Sequence, residues 1–364
     1  MSHSVFRQKI DGWQAAALPV SEQAYREAAE RLDRIAKPLD SLGLFEEQLK
    51  RIAAIQKSAG IKLTPARLTV FCGDHGIIEE GVSQSDSSIS RLVAESMARG
   101  GSSVCRMAAR EGVDVHIVDV GLKEVCMHPA VICDNVRRGS RNFLHEAAMS
   151  EEETLMALDA GIRQAREAKE GGIRILLTGE MGIGNTSSSS ALAAALLGQD
   201  VKAVTGRGAG LDDAGLKRKI EVIERALDRH SFTGKTEGKE EVFRLLSCVG
   251  GYELAALSGL CIGGALYGIP VILDGLITAA AALTAVRMVP ACTPCLLASH
   301  QGKELAMEAL LKELKLEAPI RAGLALGEGT GAVMGYSLLR DALAVYEEAA
   351  PFSELDMKAY KRLC

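Results

Sequence analysis

Apolar side chains in the first 60 positions recur at helical spacing: Leu32, Ile35, Leu39 and Leu42, then Phe45, Leu49, Ile52, Ala53 and Ile55. Pro38 and Gly43 interrupt the pattern and predict two helices there, with Ser21 a weak cap three positions before Ala24. From Ala66 the texture changes to short continuous apolar runs, at 67–72, 113–120, 173–178 and 269–273, with a weaker one at 295–298. Helix-length segments lie between them, at 89–110, 151–170 and 213–229. Strands that are apolar throughout, alternating with helices, predict a parallel sheet covered on both faces. A last helix, over 332–349, is expected to return and pack with the N-terminal helices.

Composition narrows the function. The 364 residues carry 42 Lys+Arg against 47 Asp+Glu, a net charge of −5, and only 4% are aromatic. Neither a phosphate-tracking surface nor base-stacking platforms follow from that, so nucleic acid is not expected as a partner. At 48% hydrophobic and 24% charged, the chain is too apolar for disorder and long enough for a large core. Its opening residues contain no apolar core of signal-peptide length. The most apolar stretch, 259–286, is broken by Gly263, Gly264, Gly268, Pro270, Asp274 and Gly275, so it predicts a strand between buried helices and no membrane span. Nine scattered cysteines are expected to be reduced thiols of a cytoplasmic protein. Cys292 and Cys295 have C-x-x-C spacing, but no second pair completes a metal set, and no metal is expected. No Gly-x-Ser-x-Gly elbow or His-Glu-x-x-His occurs, which counts against hydrolases and zinc proteases.

In a parallel α/β sheet ligands bind beyond the carboxyl ends of the strands, so the polar residues just after each run carry the chemistry. Thr178-Gly179-Glu180-Met181-Gly182-Ile183-Gly184-Asn185-Thr186 leaves a strand and opens an Ala/Leu-rich helix. Such a turn presents free N–H groups and the positive end of a helix dipole to a phosphate, with Asn185, Thr186 or Ser187 as cap. It reads equally as a tight strand-to-helix turn. Lacking both the Gly-Lys-Ser/Thr ending and a third fingerprint glycine, it suits a monophosphate better than a triphosphate or dinucleotide. The loop from Thr205 to Asp213 opens another helix, capped by Asp212 or Asp213. One of Lys217, Arg218 and Lys219 beyond it could reach a phosphate, although solvated surface charge is their default. Glu328, flanked by Gly327 and Gly329, is either a general base in a partly dry site or the exposed acid of a glycine turn. Asp74, next to His75 on an extended segment, cannot share a ligand with it and is expected to organise its own loop. Asp274, ending the 269–273 run, has the same ambiguity as a helix cap.

Taken in order, these segments resemble the nicotinate-nucleotide–dimethylbenzimidazole phosphoribosyltransferase family. The resemblance runs from Lys37-Pro38 and Ser41-Leu42-Gly43 through Asp74-His75-Gly76, the Glu180 to Thr186 loop and Gly206-Arg207-Gly208. It continues through Asp274-Gly275 and Ser299-His300 to Leu326-Gly327-Glu328-Gly329, nearly the whole chain. It implies a Rossmann-like parallel sheet with helices on both faces in a large α/β domain over 60–334. A small helical domain from 1–59 and 335–364 and a homodimer, or a heterodimer with a homologue, are implied as well. The implied substrates are nicotinate mononucleotide and an aromatic lower base, with no cofactor. By the family's motif Glu328 is the general base, Glu180, Gly182, Gly184, Asn185, Thr186 and Lys219 surround the ribose and phosphate, and Leu326 lines that site. The loop 81–90 departs from the family's usual Tyr-Pro-containing segment. Its Ser83, Ser87 and Ser90 are expected to line the lower-base pocket and to admit a phenol, a purine or another benzimidazole. Rival expectations are an oxidoreductase or kinase using the glycine loop, and a non-catalytic partner subunit.

Overall fold

The computed structural model describes residues 3–362. Three helices open the chain: α1 (His3–Ala16), α2 (Glu22–Arg34) and α3 (Leu44–Gln56). The α/β part begins with β1 (Ala66–Gly73), α4 (Ser88–Ala98), α5 (Ser103–Glu111), β2 (Val113–Gly121), β3 (Val131–Cys133), α6 (Glu151–Glu170) and β4 (Ile175–Met181). After it come α7 (Asn185–Leu197), α8 (Val201–Val204), α9 (Asp213–Arg229), α10 (Lys239–Val249) and α11 (Tyr252–Tyr267). β5 (Val271–Leu273), α12 (Leu276–Met288), β6 (Leu296–Ala298), α13 (Met307–Glu313) and α14 (Thr330–Glu348) complete it.

The strands form one parallel sheet in the order β3-β2-β1-β4-β5-β6. β1 pairs with both β2 and β4, so the chain turns outward in opposite directions from this pair and opens a crevice at its carboxyl end. Alternation along each strand feeds two cores: Phe71, Leu176 and Val271 enter one layer, Val70, Leu177 and Ile272 the other. The 259–286 stretch folds as expected, into α11, β5 and α12, because residues apolar all round must be covered on every side. No helix among the described residues is long and apolar enough to cross a membrane.

Four expectations change. The 89–110 helix is two helices, since Gly100 takes φ +71° and Ser102 starts a new helix by accepting the Cys105 N–H. β3 was not foreseen, because three residues at a sheet edge carry no periodicity. Ser21 does accept the Ala24 N–H, but the helix it caps ends at Arg34, well before Pro38. The terminal helices divide between layers: α1 lies on the α10–α11 side, with Phe6 stacked on Phe243 at 3.8 Å, while α2 and α3 share the opposite core with Tyr336 and Leu339 of α14. Arg31 of α2 donates to the Tyr346 carbonyl and Ala36 N–H to that of Ala350, so α14 returns to the N-terminal helix α2 as expected. Position 334 falls inside α14, whose first turn reaches the sheet's carboxyl edge. Cys364 lies outside the described residues, and the eight other cysteines are free thiols.

α6 and α11 touch through backbone. A Cβ on Gly161 would stand 1.8 Å from the Ala256 carbonyl oxygen, and one on Gly259 2.0 Å from that of Leu158. Gly→Ala inside a helix ordinarily adds up to about 1 kcal/mol of stability. Here Gly161→Ala forces the helices apart and is expected to lower the unfolding free energy by about 1–3 kcal/mol, the cost of overpacking; urea denaturation checks the sign.

Candidate active site

The carboxyl ends of β4, β5 and β6 open into a cavity of about 640 Å³. Its walls hold Glu180, Gly182, Asn185, Thr186, Lys219, Leu326 and Glu328, so most residues singled out from the sequence converge in space.

The end of the cavity beside α7 is built by close approach. A Cβ on Gly182 would stand 2.0 Å from the Gly73 carbonyl oxygen, and one on Gly184, at φ +100°, would meet His75 and Ile78 at 2.8 Å. Only glycine lets this turn press onto the end of β1 and release the chain into α7. Beneath it His75, Glu253 and Ser188 form a fully buried brace, with His75 Nε2 2.6 Å from Glu253 Oε1 and Nδ1 2.8 Å from Ser188 Oγ. Gly184 is the N-cap of α7 and no side chain caps that helix, contrary to the expectation for Asn185, Thr186 or Ser187. Asn185 instead donates to Glu180, and Thr186 Oγ1 accepts from Lys219 Nζ at 2.8 Å.

Lys219 departs from the surface default: its neighbours Lys217 and Arg218 are exposed, but Lys219 is fully buried. Among the described residues no carboxylate pairs with it, and burial alone pushes its ammonium down to about 8. Its position is explained by α9: Asp212 caps the helix through the Gly215 N–H at 2.7 Å, and Lys219 falls on the face carrying Gly215, Val222 and Ile223 inward.

The other wall gathers acids. Glu180 is buried, and burial, reinforced by Asp274 and Glu253, raises its carboxyl to about 8. Its charge is partly met by Asn185 and by the Glu328 backbone N–H. Glu328 sits at φ +61° and is half-buried, and one of its carboxylate oxygens is buried without a hydrogen-bond partner. Burial raises its pKa above the ordinary carboxylate value, against the opposing pull of the Val104 N–H and Ser102 at the start of α5. It is neither an ordinary surface acid nor a closed ion pair. Leu326, 57% exposed, and Leu305, 61% exposed, put apolar surface at the mouth. Among the described residues no group of three or more His, Cys, Asp or Glu is placed to hold a metal.

The serine loop behaves differently from expectation. Ser90 is fully buried, donating to Asp74 Oδ1 at 2.5 Å and accepting the Ile183 N–H at 3.0 Å, so its hydroxyl is spent on the architecture. Asp74 takes the Lys123 N–H on its other oxygen and organises the loop, as its position after β1 implied. Asp74, Ser83 and Ser87 do not line the large cavity: Asp74 and Ser87 border a separate one of about 340 Å³, and Ser83 Oγ accepts the Ser85 N–H. Gln84, donating to the Gly210 carbonyl at 2.6 Å, and Ser90, through the Ile183 N–H, tie this loop to the cavity wall. These hydroxyls therefore carry no argument for an altered acceptor. Sequence reasoning named His300 only within the resemblance, with no role, and left Asp274 ambiguous; the signal was available, since Asp274 directly follows β5 and His300 comes two positions after β6.

This geometry matches known proteins along nearly its whole length. A family model described as Phosphoribosyltransferase matches residues 18–356. A nicotinate-nucleotide–dimethylbenzimidazole phosphoribosyltransferase of Azotobacter vinelandii is 40% identical over 95% of this chain and 97% of its own. One of Ruminiclostridium cellulolyticum is 35% identical over 94% and 96%. The crystal structure of CobT from Thermus thermophilus superposes with a TM-score of 0.86 at 36% identity, covering 93% of this chain and all of that one.

The unpaired ammonium makes a prediction about the unliganded protein. Because Lys219 titrates near 8 when folded and at the ordinary 10.5 when unfolded, the unfolded chain binds more protons between those values. Its destabilising contribution is therefore complete at neutral pH and fades as pH rises from about 8 to 10.5. Lys219→Met is expected to equal or exceed the wild type in urea resistance at pH 7, with any advantage vanishing toward pH 10.5. Its affinity for inorganic phosphate, measured by calorimetry, should fall at least about tenfold, the scale of one charge-assisted hydrogen bond.

Proposed function

The chain belongs to the nicotinate-nucleotide–dimethylbenzimidazole phosphoribosyltransferase family, and we propose that it moves the ribose 5-phosphate of nicotinate mononucleotide onto 5,6-dimethylbenzimidazole, releasing nicotinate. One observation carries this reading: a single cavity joins an uncapped, glycine-lined helix start and an unpaired buried lysine to a half-buried carboxylate with a free oxygen.

The chemistry asks for few parts. Nicotinate leaves as a pyridine whose ring nitrogen becomes neutral, so no general acid has to protonate it. The phosphate must be anchored, the anomeric carbon exposed, and a proton taken from the azole nitrogen. The N–H groups at the start of α7 and Lys219 anchor the phosphate, and Asn185 and Thr186, held by Glu180 and Lys219, border the ribose. Glu328 takes the azole proton as the ring nitrogen attacks from the face opposite nicotinate, which gives the α-nucleotide. A carboxylate raised by burial is a better base for this than one in water, because less of its basicity is lost to hydration. Leu326 and Leu305 offer apolar surface to the flat acceptor.

Two further properties belong to this reading. A homodimer is proposed from exposed apolar side chains on α4 (Ile89, Leu92) and after β2 (Val125, Met127), two segments joined by the Arg91–Glu124 ion pair. The cytoplasm is proposed as the compartment that keeps the thiols reduced.

Glu328→Gln is expected to cut kcat at least about 100-fold, the usual contribution of a general base, with KM for nicotinate mononucleotide nearly unchanged. Retained turnover would remove Glu328 from that role. Offered dimethylbenzimidazole, adenine and p-cresol in competition, the enzyme should form chiefly the dimethylbenzimidazole product; a dominant adenine or cresol product, resolved by chromatography, would contradict the acceptor assignment.

A further inference from the structure

We propose that Asp274 is a positioning residue for this reaction, holding the 327–332 loop so that Glu328 presents its carboxylate to the acceptor. The proposal rests on Glu328 being the base and adds what aims it.

Asp274 directly follows β5 and is almost wholly buried. Its two oxygens straddle the loop: Oδ2 accepts the Gly329 N–H at 3.2 Å and Oδ1 the Ala332 N–H at 3.0 Å. Its own N–H donates to Thr178 Oγ1 at 3.0 Å, and that hydroxyl donates to the Ile272 carbonyl at 3.2 Å. Asp274 is thus tied to β4 and β5 through its main chain and to the loop through its carboxylate. Glu328 lies immediately before the gripped segment, in a left-handed conformation that a non-glycine residue holds only when its neighbours enforce it. Glu180, on the adjacent strand, accepts the Glu328 N–H itself.

His300 closes the arrangement. Ser299 Oγ donates to the Leu273 carbonyl at 2.6 Å and so accepts from His300 Nδ1 at 2.9 Å, which fixes the imidazole. The ring lies against Gly331 so closely that a Cβ there would stand 2.1 Å from Nδ1. With the loop pressed between His300 and the Asp274 carboxylate, its N–H groups have little access to a substitute acceptor. Both Asp274 oxygens accept backbone N–H groups of the loop, so the carboxylate acts on the reaction by holding the loop, and its charge also helps to raise the Glu328 carboxyl.

Asp274→Asn keeps the shape but turns an NH₂ group toward a backbone N–H. Purified enzyme should lose at least about tenfold in kcat, as misaimed catalytic groups do, while KM for nicotinate mononucleotide stays within about threefold because the α7 and Lys219 anchors are untouched. Amide exchange at Gly329 and Ala332 should accelerate while that of residues 182–186 does not. Wild-type kcat in this variant, or kcat and KM moving together with faster exchange at 182–186, would overturn the proposal. If Glu328→Gln kept its turnover, the base assignment would fall by itself, and unaltered exchange at Gly329 and Ala332 in Asp274→Asn would separately refute the loop-holding role. Should Asp274→Asn fail to fold, Thr178→Val removes the hydroxyl that seats Asp274. It should lower kcat about threefold or more at unchanged nucleotide KM, and an unaltered kcat would count against the proposal.

Discussion

Among the described residues, two carboxyl groups buried at the ends of adjacent strands, Glu180 and Asp274, have no lysine or arginine partner; the main chain of one loop meets both, with the Asn185 amide also on Glu180. Removing a carboxylate from water is costly, and without a cation the available compensation is hydrogen-bond donors or a proton. The protein supplies donors, the N–H groups of Glu328, Gly329 and Ala332 and the Asn185 amide, while burial still raises the Glu180 carboxyl to about 8, so that it keeps its proton at neutral pH. An exposed, glycine-rich turn would otherwise sample many conformations, and this constraint selects one. The active-site loop is thus ordered from below, by the sheet, and remains open above to a ligand.

The opposite charge is treated in the opposite way. Lys219 is fully buried, and among the described residues its ammonium donates only to the Thr186 hydroxyl. In the empty protein such a cation is a liability, and its folded environment favours the neutral form. A phosphate at the start of α7 reverses the balance, because the anion meets both the ammonium and the helix N-terminus. Acids and lysine unmet by each other within one cavity are what a site optimised for its ligand rather than for the unliganded state should show.

The brace under the glycine turn has a related logic. His75, Glu253 and Ser188 join the end of β1 to the first turns of α11 and α7. Fully buried polar groups of this kind are directional, so they specify one placement of the turn where apolar packing would tolerate several. Ser90 contributes in the same way, linking Asp74 to the Ile183 N–H from the far side. The serine-rich loop expected to line the lower-base pocket is in part the outer wall of the glycine turn.

From the order of residues alone came the alternation of apolar runs and helical segments, and with it the parallel sheet; 151–170 and 213–229 match α6 and α9 residue for residue. The glycine-flanked Glu328 and the Gly182–Gly184 turn were legible too, because backbone geometry limits which residues fit there. Tertiary structure alone decided that Lys219 goes inward while Arg218 does not, that Ser90 belongs to the frame and not the pocket, and that Asp274 grips a loop more than 50 positions later in the chain. The reason is range. Periodicity and turn chemistry act between residues a few positions apart, whereas burial, unpaired charge and long-range hydrogen bonds depend on which segments the completed sheet brings together.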